Sequence, residues 1–397
     1  MVVRCELADS ASVRVLVCPD KFAGTLSAVE VASAVAAGWR SVAPADELVE
    51  RPVADGGPGF VEVLASAVPG RLVPVATVDP LGRPVSGSVL MVDSTAYVES
   101  AQACGLHLLA DSERDPLRTS SFGLGLLVIA AMEAGATRIV IGLGGSATND
   151  GGAGMLAALG AAPLDAAGYA LPPGGAALAA CVSLAETPRL RPGVMLVAAT
   201  DVDNPLVGLH GASAVYGPQK GASREDVFRL DAALAHFAEV LSAVLPNCPA
   251  DLAALPGGGA AGGLGAAILA LGGRCESGIA LVTDLIGLHG AIDGVDLVIT
   301  GEGSFDHQSL RGKVVAGVAG AARDARVPCV VVAGRVSAGR REAAAAGISE
   351  AWSLVEELGS VEAAMSHPHD GLYRLSARLA GQWSRPAGSH KPGPPRT

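Results

Sequence analysis

Residues 139–160 read IVIGLGGSATNDGGAGMLAALG: a β-branched run, a glycine-rich turn and an apolar, helix-forming stretch, end to end. Glycines between a strand and a helix leave backbone N–H groups bare. Such a turn aims them, with the helix N-terminus, at an anion. The loop therefore predicts a phosphate site in an α/β fold. Asn149 and Asp150 in its middle form a polar wall that could face a metal.

Outward from this loop, short Val/Ile-rich runs alternate with longer Ala/Leu-rich stretches, the pattern of βαβ units. Strand-like runs lie at 13–18, 47–53, 71–77, 138–141, 194–199, 296–300 and 328–333, and helical stretches at 223–244, 313–325 and 372–383. Ser27 and Glu30 have the spacing of a capping box that opens a further helix. Hydrophobic residues make up 50% of the 397 and aromatics only 3%, so Ala, Val, Leu and Gly must build the core. That suits helices packed closely on parallel strands. The final stretch, 385–397, is rich in Pro and Gly and reads as a disordered tail.

Composition excludes several classes of function. The net charge is −11 with no basic block, which argues against a nucleic-acid partner. Seven scattered cysteines without a CxxC pair suit free thiols in a reducing cytoplasm better than disulfides or a zinc site. The N-terminal residues lack a signal-peptide layout. The least charged stretch, 252–273, holds Pro256 and eight glycines and does not read as a membrane span. A cytoplasmic protein is expected.

In open α/β sheets ligands sit beyond the carboxyl ends of strands. Five such ends carry polar loops here: CPDKFAGTLS, VADGGPG, GLGGSATNDGG, ATDVDNP and TGEGSFDHQSLRGK. They supply Asp20, Lys21, Asp55, Asp150, Asp201, Asp203, Glu302, Asp306 and Lys313. Bare carboxylates repel a phosphate, so a bridging cation resolves the conflict, and Mg²⁺ takes one or two carboxylates plus phosphate oxygens. Together these features describe phosphoryl transfer. Each loop also has a plain structural reading. Glycines serve tight turns, Asp201 and Asp203 suit caps or turns, and Asp306 suits the cap of a helix that starts near Gln308. His107, His210 and His289 lie far apart and read as structural.

Two motifs nearly fit. Gly142, Gly144 and Ala147 satisfy a loose dinucleotide fingerprint with Asp165 downstream, which keeps an NAD-dependent oxidoreductase as an alternative. LRGKV fails as a P-loop, because His307 and Val314 replace the required Gly and Ser/Thr.

The stretches PDKFAGTLSA, ADGGPG, VESAQACGLHLL, RDPLRTSSFGLG, GLGGSATNDGGAGML, DVDNPLVGLHGASAVYGPQKGA, GAAGGLGAA and DLVITGEGSFDHQSLRGKV resemble the bacterial type I glycerate kinase family over nearly the whole chain. The resemblance implies two α/β domains with the active site in the cleft between them. One, flavodoxin-like, would take 1–83 plus 284–384, and the other, inserted, 84–283. It also implies ATP as donor, Mg²⁺ as cofactor, D-glycerate as acceptor, and a monomer or homodimer. The 2-hydroxyl is favoured over the 3-hydroxyl.

On chemistry and loop position, Gly144, Gly145, Ser146, Thr148, Asn149, Asp150 and Gly151 are expected to bind the ATP phosphates. Asp20, Lys21, Asp55, Gly56, Gly57 and Gln308 are assigned to the acceptor, and Asp203 and Glu302 to the metal. Asp201, Asp306 and Lys313 are the catalytic candidates, with either aspartate taking the hydroxyl proton. Two positions depart from the family pattern: Ala23 stands where a lysine is usual, and Pro58 interrupts a usual Gly-Glu-Gly. They keep open a different small hydroxy acid as acceptor, or a ligand-binding paralogue with weak catalysis.

Overall fold

Val15, Leu16, Val17 and Cys18 are wholly buried. A continuous apolar run of this kind marks a strand covered on both faces. The computed structural model describes residues 12–310 and 314–384. In chain order its strands are β1 (Arg14–Pro19), β2 (Glu47–Glu50), β3 (Arg71–Val78), β4 (Pro84–Val92), β5 (Thr95–Glu99), β6 (Arg138–Gly142), β7 (Pro163–Leu164), β8 (Ser183–Leu184), β9 (Met195–Ala199), β10 (Arg274–Glu276), β11 (Leu297–Phe305), β12 (Cys329–Val336) and β13 (Ile348–Ser353). Lys313 and the tail 385–397 lie outside the described residues.

The chain divides into two units. The first runs to Val53 and resumes at Gly287; the second is Ala54–Ile286. The sheet of the first has the order β13-β12-β11-β1-β2 and is parallel throughout. From β1 the chain moves outward to β2, and from β11 outward to β12 and β13. The loops leaving β1 and β11 therefore diverge at the switch point where such sheets bind ligands.

The sheet of the second unit has the order β10-β9-β6-β5-β4-β3. Strands β10, β9, β6 and β5 are parallel, whereas β5, β4 and β3 form an antiparallel meander. The boundary expected at 83/84 falls at the turn between β3 and β4, where Val78 pairs with Pro84. Residues 54–83 consequently belong with the second unit, and with them the ADGGPG loop. All the expected strand-like runs form strands. The βαβ pattern is interrupted at β3–β5, where the turn at Asp93 (φ 52°) folds β4 directly onto β5.

The helices follow their sequence signals. Ser27 accepts a hydrogen bond from Glu30 N (3.3 Å), and Glu30 accepts one from Ser27 N (2.8 Å), the capping box of helix Ala28–Val42. Val31, Val35 and Trp39 of that helix share a core with Leu372, Leu375 and Leu379 of helix Pro368–Trp383. Helices Arg224–Val244 and Val314–Asp324 fall where expected. No helix among the described residues is long and apolar enough to cross a membrane.

Helices Ala28–Val42 and Pro368–Trp383 pack closely at Gly38, where a Cβ would stand 2.2 Å from Tyr373 O. Gly38→Ala should therefore force them apart and cost about 1–3 kcal/mol as overpacking. Urea denaturation reads this as a lower midpoint, and an unchanged midpoint would contradict the close approach.

Candidate active site

The glycine-rich loop leaves β6 by crossing two neighbouring segments. Leu143 N donates to Ala199 O (3.2 Å) and Gly144 N to Gly56 O (3.0 Å). Leu106 N then donates to Gly145 O (2.9 Å), and Ala147 N to Cys104 O (2.7 Å). The loop is thus stitched on both sides by backbone.

Its polar side chains turn inward. Ser146, Thr148, Asn149 and Asp150 are all buried. Asp150 Oδ2 accepts from Ser121 N (2.8 Å), Ser121 Oγ (2.8 Å) and Gly154 N (3.1 Å), and Oδ1 accepts from Gly152 N (3.1 Å). Asn149 Nδ2 donates to Ser213 Oγ (2.9 Å). The expected polar, metal-facing wall is corrected accordingly: Asp150 and Asn149 anchor the loop from within. Gly144 and Gly145 are the residues from 144 to 152 that reach solvent. Among the described residues, the N–H groups of Gly145 and Ser146 find no backbone or side-chain acceptor. What the loop presents is backbone.

A second loop packs across it. Asp55 Oδ1 accepts from Gly57 N (3.1 Å), which turns the chain at Gly56 (φ 88°). A Cβ on Gly56 would stand 2.9 Å from Ala199 O, so only glycine fits. A Cβ on Gly145 would meet the Pro58 ring at 2.8 Å. Pro58 therefore covers one side of the exposed glycine. Glu99, at the end of β5, accepts from Gly59 N (3.1 Å) and Val61 N (3.3 Å) and so caps helix Phe60–Ala67.

The third loop follows β9. Asp201 Oδ1 accepts from Ser277 Oγ (2.6 Å) and Oδ2 from Ile279 N (3.0 Å), at the start of helix Gly278–Leu285. A Cβ on Gly278 would lie 2.5 Å from Asp55 O and 3.2 Å from Asp201 Oδ2, so Asp55 and Asp201 meet over a bare glycine. Asp201 stays open to solvent at its edge. Desolvation by the packed loops, with the nearby Asp55 charge, nonetheless pushes its carboxyl above the usual range, against the pull of Ser277 and Ile279. Asp203 is exposed two residues further on.

In the first unit, Asp20 N donates to Gly301 O (2.8 Å), and Asp20 Oδ1 accepts from Lys21 N (2.7 Å) with Lys21 Nζ at 3.5 Å. The register Pro19↔Gly301 sets Asp20 beside Glu302, which is 9% exposed. Ala23 is exposed, on a turn that packs against Gly303. Asp306 Oδ1 accepts from Gln308 N (2.7 Å) and Ser309 N (3.3 Å), the capping role that its sequence position also allowed.

The predicted residues thus gather as two groups: Asp55, Gly56, Gly57, Gly144, Gly145 and Asp201 in the second unit, and Asp20, Lys21, Glu302, Asp306 and Gln308 in the first. Sequence reasoning missed Ser277, Glu99 and the buried Lys220. Ser277-Gly278 after β10 was a detectable helix-start signal; Glu99 and Lys220 lie in stretches that resemble the family, but their roles depend on burial, which those stretches do not state. Among the described residues no group of three or more His, Cys, Asp or Glu is gathered around a metal position. The dinucleotide alternative also loses its geometry. The helix after β6, Ala153–Ala158, starts eleven residues beyond the strand, and Asp165 Oδ1 is held by Ala167 N and Tyr169 N in an exposed turn.

The comparisons agree on one family. The model of the Glycerate kinase family matches residues 15–384. Glycerate 2-kinase of Escherichia coli (strain K12) is 42% identical over 373 residues, spanning 92% of this chain and 97% of that protein. Glycerate kinase of Bacillus subtilis (strain 168) is 41% identical, with 92% and 97% covered. A crystal structure of a candidate glycerate kinase 2 from Salmonella typhimurium LT2 superposes with a TM-score of 0.77 at 38% identity, covering 94% of this chain and 98% of that one. This chain, with its stitched glycine loop and paired aspartates, belongs to the glycerate kinase family.

Proposed function

We propose that the chain transfers the γ-phosphoryl group of ATP to D-glycerate, at the 2-hydroxyl. The single observation that carries the donor half is the loop crown, where two consecutive backbone N–H groups, of Gly145 and Ser146, have no acceptor among the described residues and Gly145 itself is exposed. Backbone donors of this kind take phosphate oxygens without a side chain. Gly144, Gly145 and Ser146 are the proposed phosphate contacts. Thr148, Asn149, Asp150 and Gly151 support the loop from inside.

The acceptor assignment rests on kinship, since relatives at 41–42% identity are named glycerate kinases and one of them a glycerate 2-kinase. In our reading Lys21, beside Asp20, supplies the cation for the glycerate carboxylate in place of the residue absent at Ala23. Asp55, Gly56, Gly57 and Gln308 complete the acceptor contacts. Lys313, outside the described residues, is proposed to neutralise the transferring phosphoryl.

Asp201 is the proposed general base. It follows a strand end, is oriented by Ser277 and Ile279, and has its basicity raised by desolvation and by Asp55. Asp306, its Oδ1 engaged by its own turn, is better placed to shape residues 306–309 than to move a proton. A divalent cation suits the donor chemistry, because Asp203 and Glu302 offer hard carboxylate oxygens. Either carboxylate, directly or through water, is of the type that would hold Mg²⁺, which would neutralise charge on the donor phosphates. The chain's own part is positioning and charge complementarity, which account for most catalysis of this class.

Asp201→Asn should lower kcat by about 10²–10⁴-fold while leaving thermal stability nearly unchanged. A kcat within a few-fold of the parent would remove Asp201 from the base role. The ionised carboxylate is the active form, so kcat/KM should fall as pH drops through the raised Asp201 value. Asp55→Asn removes one of the two upward pushes, and its acid limb should move to lower pH. A limb that stays in place, read from pH profiles of the two proteins, would contradict the coupling.

A further inference from the structure

Lys220 closes the short turn Pro218–Lys220 and is 2% exposed. Its Nζ donates to Thr148 O (2.7 Å) and Ser146 Oγ (3.0 Å). Both acceptors are neutral. The charged group facing it from the glycine loop is Asp150, already bonded to Ser121, Gly152 and Gly154. From helix Ala101–Cys104 it faces the Cys104 thiol, which burial holds in its neutral form. Gly221 packs on the carbonyl of Arg114, whose guanidinium pairs outward with Asp111.

A buried ammonium on neutral acceptors is expensive to keep. Tying down two oxygens does not require a full charge. Yet this charge lies directly beneath Ser146, whose N–H is one of the two open donors at the loop crown.

We propose that Lys220 is a positioning residue, a fixed cation under the loop crown that holds residues 146–148 in place and sets the crown's affinity for a polyphosphate anion. The proposal rests on the reading of that crown as the phosphate site. Burial pulls the amine down to about 8. The charge is therefore present at neutral pH and lost as pH rises through about 8. The unfolded chain keeps that proton to higher pH, so the same titration adds stability to the fold between pH 8 and the ordinary lysine range. The buried thiols pull the other way, because the unfolded chain gives up their protons first, so the level Kd for adenosine is what separates loss of affinity from unfolding.

The test measures binding of the magnesium complex of a non-hydrolysable ATP analogue, and of adenosine, to the full chain from pH 7 to 9.5. Kd for the triphosphate should rise about tenfold across that range, while Kd for adenosine stays level. Lys220→Met should bind the triphosphate about tenfold more weakly at pH 7, with a flat profile. Gly145→Val, strained at φ 75° and pressed on Pro58, tests the crown itself. Weak binding by Gly145→Val, with Lys220→Met unchanged and the parent profile flat, would overturn the role of Lys220 and leave the crown standing. Unchanged binding by Gly145→Val would overturn the crown, and the proposal with it. Should Lys220→Met fail to fold, the parent profile with its adenosine control decides.

Discussion

One buried carboxylate holds the candidate site together. Asp150 is fully buried, and its two oxygens take four hydrogen bonds from Ser121, Gly152 and Gly154. A glycine-rich loop has large conformational freedom and loses it on folding. Something must hold it in one shape if its N–H groups are to meet an anion ready-made. Asp150 does so from within, joining the loop to the start of helix Phe122–Glu133 and to the first turn of the helix that follows. The charge that looked like an obstacle to phosphate binding is turned away from the ligand side and neutralised by donors.

Glycine does a second job in the same unit. Three segments approach so closely that a methyl group would not fit: Gly56 on Ala199, Gly144 on Gly57, and Gly278 on Asp55. These contacts bring the ends of β6 and β9 and the start of helix Gly278–Leu285 into one layer. Asp55 and Asp201 then share a neighbourhood, and desolvation, with the Asp55 charge beside it, holds the Asp201 carboxyl above its usual range. Pro58 rests on Gly145 and covers that side of the glycine loop with an uncharged ring.

Much of the fold was legible because burial leaves plain marks. Strands β1, β11 and β12 read as unbroken Val/Ile runs, Ser27 and Glu30 announced a helix start, and the loops beyond strand ends carried the polar residues. The β3–β4–β5 meander was less legible, since Pro84–Val92 shows only partial alternation and its tight turn lies at Asp93-Ser94. The division of the chain falls before this sheet, at Val53/Ala54, so Asp55 lies with the second unit. Residue types at the site were legible, but the direction of their side chains was not. Nothing in the string SATND tells that Ser146 to Asp150 point inward, or that Lys220, seventy residues on, sits beneath them.

The proposed reaction moves a phosphoryl group from ATP onto glycerate. The most direct measurement is ADP release from MgATP with D-glycerate and a panel of other small hydroxy acids, with the product identified by NMR. Turnover with D-glycerate and a product phosphorylated at the 2-position are expected. Turnover confined to another hydroxy acid would contradict the acceptor assignment, and absence of ADP release with every acid would contradict the catalytic reading itself.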